Sequence, residues 1–181
     1  MLFRSSNVLA ATAVALDGGV PLGDIAAAAA RLRPADRRGA ILRLRDGITV
    51  IDDSYNSSPA ALGRALEVVT HQRHSGRKVA VLGEMLELGD HATALHRESG
   101  RAAAAAGLNV LVAVGGPAAR ELADAAIQAG MAANAVSYFE RSDEAAASVV
   151  RAVQPGDLLL VKGSRGTRTD LVVDRLASEL G

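Results

Sequence analysis

The chain has 181 residues, 49% hydrophobic and 22% charged, the proportions of a folded globular chain and not of a disordered one. Lysine plus arginine and aspartate plus glutamate number 20 each, so the net charge is zero and the basic footprint of a nucleic-acid binder is missing. With no cysteine there is no thiol chemistry, and with 2% aromatics and no Trp there is no base-stacking platform.

Two helical patterns come first. Asn7 can cap a run from Val8 to Leu16 that Gly18-Gly19 ends, and Pro21 leads into Leu22 to Leu32. The segment Arg33-Pro34-Ala35-Asp36-Arg37-Arg38-Gly39 has no apolar period and reads as a linker, its arginines a solvated pair. Ile41 to Arg45 then alternates, Asp46-Gly47 turns and Ile48 to Ile51 resumes, which predicts a hairpin. Short runs apolar on both faces follow at Lys78–Leu82, Val110–Val114 and Leu158–Val161, with Val136–Phe139 a weaker edge candidate. Helical patterns lie between them at Pro59–Gln72, His91–Ala106, Ala118–Ala129, Ser142–Val153 and Thr169–Leu180. This alternation predicts an α/β fold with a mostly parallel sheet. No apolar stretch is long enough to cross a bilayer and Met1-Leu2-Phe3-Arg4 does not open a signal peptide, so the expectation is a cytoplasmic chain without membrane insertion.

The unusual residues follow the strands directly. Ile51 leads into Asp52-Asp53-Ser54-Tyr55-Asn56, Leu82 into Gly83-Glu84-Met85-Leu86-Glu87-Leu88-Gly89, Val114 into Gly115-Gly116, and Val161 into Lys162-Gly163-Ser164-Arg165-Gly166. In a parallel sheet all four clusters emerge on the rim where open α/β sheets bind small molecules. Asp52-Asp53 suits a divalent ion, a ribose hydroxyl or the cap of the helix near Pro59. Lys162 to Gly166 suits a carboxylate or phosphate, or is a plain turn with solvated charges. Gly115-Gly116-Pro117 is an incomplete dinucleotide pattern and reads as a turn. His71 and His74 share a helix face and read as a solvated helix end, while His96 is placed to pack under the Gly83–Gly89 loop.

In order and spacing these segments resemble the Mur ligases, in the branch that adds D-alanyl-D-alanine. Ile51 to Pro59 resembles its DDSYNANP motif, Leu82 to Gly89 with His96 and Gly100 its LGxMxELG…H…G block, and Lys162 to Gly166 its KGSRG turn. Asn7-Val8-Leu9-Ala10-Ala11 is similar to the end of its HNxxNxLAA helix, and Arg38 falls at its linker arginine. Phe3, Ser58 and Thr169 depart from the pattern, and no GxxxxGK[ST] phosphate loop occurs in the chain.

The resemblance implies a Rossmann-like three-layer α/β/α sandwich over residues 37–181, preceded over 1–36 by a helical tail of the family's central ATPase domain plus linker. It implies an ATP- and Mg2+-dependent ligase of peptidoglycan precursor synthesis. Such an enzyme joins D-alanyl-D-alanine to UDP-N-acetylmuramoyl-tripeptide through an acyl phosphate, and this chain alone is expected to be inactive and to bind neither ATP nor Mg2+ tightly. It places Asn7, Arg38, Asp53, Tyr55 and Asn56 at the nucleotide, and Glu84, Lys162, Ser164 and Arg165 at the dipeptide, with no catalytic or metal residue. Two other readings stay open: a non-catalytic Rossmann-like binding module, and a related ligase with another substrate, as in folate polyglutamation.

Overall fold

A computed structural model describes residues 2–32 and 36–181. Residues 33–35, the start of the expected linker, lie outside the described residues, as does the side chain of Phe3. The chain divides into two compact units, residues 1–35 and 36–181.

The first unit holds helices α1 (Leu2–Asp17) and α2 (Leu22–Ala30). Asn7 stands inside α1 and does not cap it, because Leu2 to Ser6 contains no helix breaker and the helix starts earlier. Leu9, Val14 and Leu22 are exposed, and α2 buries no residue.

The second unit is built on a six-stranded sheet. Its elements in chain order are β1 (Ala40–Arg43), β2 (Thr49–Asp53), α3 (Pro59–His71), β3 (Lys78–Gly83), α4 (Ala92–Ala105), β4 (Val110–Val114) and α5 (Pro117–Gln128), followed by β5 (Val136–Phe139), α6 (Ser142–Ala152), β6 (Leu158–Lys162) and α7 (Asp170–Leu180). The spatial order is β1-β2-β6-β3-β4-β5. β1 pairs antiparallel with β2 through the Asp46-Gly47 turn, where both residues take positive φ and so match the strand twist. All other neighbours are parallel.

Alternation along each strand divides the core. Val79 and Val81 face one layer, with Val149 of α6 and Val172 and Leu176 of α7. Ala80 and Leu82 face the other, with Leu62 and Leu66 of α3, Ala103 of α4 and Leu122 of α5. Strands buried on both faces need uninterrupted apolar runs, and that is how β3, β4 and β6 read. The result is the three-layer α/β/α arrangement with its mostly parallel sheet.

Register fixes where the strands end. Asp53 pairs with Lys162, Lys162 with Leu82, Gly83 with Val114, and Val114 with Phe139. The carboxyl ends of five strands therefore stand level on one rim.

Candidate functional site

The rim begins at β2. Asp52 is buried and its Oδ1 accepts from the Ser54 N–H at 3.1 Å and the Ser54 hydroxyl at 2.6 Å, a local turn that folds the chain back after the strand. The α3 cap is Ser58, whose Oγ accepts from the Ala61 N–H at 3.3 Å, with Pro59 in the first turn. Neither aspartate caps α3, since Asp52 is engaged by Ser54. Asp53 turns to Lys162, whose Nζ donates to Asp53 Oδ2 at 2.6 Å and to the Asn56 carbonyl at 2.8 Å. Lys162 is 3% exposed. The Asn56 side chain accepts from the N–H of Ser57.

Tyr55 stands over this corner, about a third exposed. The guanidinium of Arg38 lies 4.2 Å from its ring centroid and that of Arg165 lies 5.9 Å away, so two cations share one aromatic ring. The Tyr55 N–H donates to the Arg37 carbonyl, and Arg37 pairs with Asp174 at 3.0 Å and Asp170 at 3.2 Å. Arg37, expected to be solvated, instead fastens the segment bearing Arg38 to α7.

Next along the rim the Glu84–Gly89 loop is fixed from three sides. Ser164 Oγ accepts from the Leu86 N–H at 3.0 Å, the Thr167 hydroxyl donates to the Glu84 carbonyl, and buried His96 accepts the Met85 N–H through Nε2 at 2.9 Å. Glu84 Oε2 accepts from the Gly116 N–H at the start of α5, where a carboxylate is favoured by the helix dipole. Gly115, at φ +136°, is required here: a Cβ would lie 2.6 Å from Glu84 Cβ.

A cavity of about 540 Å³ opens beside this loop, bounded by Glu84, Leu86, Gly116, Arg141, Thr167 and Arg168. Ser142 donates to the Thr167 carbonyl and ties the start of α6 to this wall. Arg141 holds Asp143 at 2.8 Å, and that hydrogen bond keeps the Asp143 carboxyl below its usual pKa. Arg168, in the left-handed region at φ +58°, pairs with Asp170 at 3.0 Å. Two arginines, Arg141 and Arg168, and three carboxylates, Glu84, Glu140 and Asp143, thus line the cavity together with the apolar side chains of Leu86 and Leu171.

The expected site residues fall into groups. Arg38, Asp53, Tyr55, Asn56, Lys162 and Arg165 gather at the β2–β6 corner, while Glu84 and Ser164 meet through the Ser164 N–H and the Glu84 carbonyl. Asn7 lies exposed on α1 in the other unit. Arg141 and Arg168 were not among the expected residues; Glu140 to Asp143 follows β5 as the other clusters follow their strands, which is the signal that could have found Arg141. His74 lies beyond α3, with Nε2 bonded to the Gly156 carbonyl, so it does not share a helix face with His71. Among the described residues no three His, Cys, Asp or Glu side chains converge to hold a metal, and no helix is long and apolar enough to cross a membrane.

Comparison with known proteins follows the same lines. Residues 37–165 match the family described as Mur ligase, glutamate ligase domain. A UDP-N-acetylmuramoyl-tripeptide–D-alanyl-D-alanine ligase of Mycobacterium bovis is 34% identical over 191 residues, covering 96% of this chain and 38% of its own length. A crystal structure of MurF from Acinetobacter baumannii superposes with a TM-score of 0.86 at 29% identity, covering 99% of this chain and 38% of that one. MurF ligase from Thermotoga maritima in complex with ADP gives 0.73 at 25% identity, covering 96% and 37%. The chain spans just over a third of the length of these relatives.

Proposed function

The chain belongs to the Mur ligase family, and from that premise we propose that it supplies the lobe that receives nucleotide and dipeptide in an ATP-dependent ligase. That ligase would add D-alanyl-D-alanine to UDP-N-acetylmuramoyl-tripeptide. In this reading residues 1–36 are the tail of the central ATPase domain and 37–181 the C-terminal Rossmann-like domain.

The observation that carries the reading is the pairing of two dissimilar subsites on one rim. At the β2–β6 corner Asp53, Tyr55 and the Arg38 guanidinium converge, groups that suit a ribose hydroxyl, a flat base and phosphate oxygens. Beside the corner, the cavity carries Arg141 and Arg168 together with Glu84, Glu140 and Asp143, charges of both signs suited to a zwitterion with an ammonium and a carboxylate. Arg165 would assist the dipeptide carboxylate, and Ser164 would act by holding the Glu84–Gly89 loop.

The chemistry asks for placement. The tripeptide carboxylate takes the terminal phosphoryl group of ATP and ADP leaves. The dipeptide amine then attacks the acyl phosphate, forming the amide, losing its proton and releasing inorganic phosphate. Charge stabilisation and orientation dominate such a sequence. Magnesium accompanies ATP in this scheme, and among the described residues no three acidic or histidine side chains converge to hold it, so no role here is routed through the metal.

The test is a chimera carrying this chain behind the preceding portion of the mycobacterial relative. Amide formation that requires both ATP and D-alanyl-D-alanine is the expected result. A folded chimera that forms no amide, or that accepts other amines in preference to the dipeptide, contradicts the reading.

A further inference from the structure

Of the 20 cationic side chains in the sequence only Lys78 and Lys162 are lysines. Lys162 ends β6, an interior strand paired on both sides, and its ammonium is buried. Two of its three protons go to Asp53 Oδ2 at 2.6 Å and the Asn56 carbonyl at 2.8 Å, partners more than 100 residues away in the chain. A buried donor engaged in this way is poorly placed to take a substrate carboxylate.

We propose that Lys162 is a positioning residue for the nucleotide corner, acting through Asp53 and Asn56, and is not a ligand of the dipeptide. For the role of Asp53 this rests on the functional reading above. The Asp53 side chain is about a quarter exposed, and its Oδ1 accepts no hydrogen bond among the described residues. By holding Oδ2, the ammonium leaves one oxygen, at one orientation, for a ribose hydroxyl. By holding the Asn56 carbonyl it fixes the turn that presents Tyr55, and with it the ring that Arg38 and Arg165 share. The geometry also explains the residue type. A compact ammonium at the end of a flexible stem can donate to two acceptors from one nitrogen, whereas a planar guanidinium spreads its donors over a fork.

Because there are two lysines, the test is direct. Nitrogen-15 spectra of side-chain ammonium groups in the 181-residue chain contain two signals, assigned with K78R. The Lys162 signal should be protected from exchange with water and should lose that protection in D53N, a variant that keeps the lysine and tests the clamp even if changes at 162 impair folding. In calorimetric titrations, K162M and K162R should weaken ADP binding by about tenfold or more while changing D-alanyl-D-alanine binding by less than about twofold. Fast exchange at Lys162, or lost dipeptide binding with ADP binding intact, overturns the proposal. If the unchanged chain binds neither probe, the functional reading fails, and the ammonium spectra alone decide for or against the clamp.

Discussion

His96 has both ring nitrogens inside the protein: Nε2 accepts the Met85 N–H, so the ring proton sits on Nδ1 and is donated to the Ala92 carbonyl. One neutral tautomer therefore satisfies two backbone groups at once, and it does so beneath the loop that brings Glu84 to the cavity. Replacing His96 with Ala leaves the Met85 N–H without a partner and opens a void, at a cost of about 3 kcal/mol. Urea unfolding measures this, and a loss well under 1 kcal/mol would contradict the role. Tyr138 offers a second check on the same wall, since its hydroxyl donates to the Gly115 carbonyl at 2.8 Å. Burial, helped by the Glu140 charge and opposed by Arg120 above the ring, raises its pKa. A raised folded-state pKa favours the protonated phenol, so its contribution is complete below the unfolded value of about 10 and fades as pH climbs through the folded value. Y138F should therefore lose less stability than the unchanged chain on moving from pH 9 to the alkaline limit of folding; equal losses would remove Tyr138 from this account.

At the scale of elements, α4 and α5 meet where Gly100 faces the carbonyl of Leu122; a Cβ on Gly100 would lie 2.2 Å from that oxygen. G100A should force the helices apart and cost about 2 kcal/mol, within the range for overpacked contacts. A thermal shift of less than a degree would argue against so close an approach. The elements themselves were largely legible in the sequence. Val110–Val114 and Val136–Phe139 have the expected bounds, and β3 and β6 extend the expected runs by one residue. Legibility came from period: a strand apolar on both faces and a helix with a single apolar stripe differ in repeat. What could not be read was non-local. Nothing near Lys162 in the chain shows that a sheet register will seat it against Asp53. The aspartates also looked equal as helix caps until Ser58, nearer to α3, took that place. Glu140 to Asp143 carries a weak signal because β5 is short and half-polar, although the rule that chemistry follows strand ends applies to it equally.

For the whole molecule, parallel pairing points the carboxyl ends of five strands the same way, and the crossover that seats β6 between β2 and β3 delivers polar clusters separated by tens of residues to one rim. The same topology separates tasks. Lys162, His96 and Ser164 are buried and hold loops, whereas Arg165 is exposed and left to meet a ligand. In the chimera, R165A should raise the dipeptide KM or lower kcat by about tenfold, the loss expected when a charge pair sheltered from water is broken; unchanged kinetics would exclude it from the pocket. On the proposed function, this rim takes nucleotide and dipeptide side by side. Amide chemical-shift mapping on the 181-residue chain tests it most directly. ADP should move Arg38 and residues 53–56, and D-alanyl-D-alanine should move Glu84 to Leu88, Gly116, Arg141 and Arg168. Shifts gathered instead at the opposite end of the strands, around Arg77 and Gly156, would contradict it.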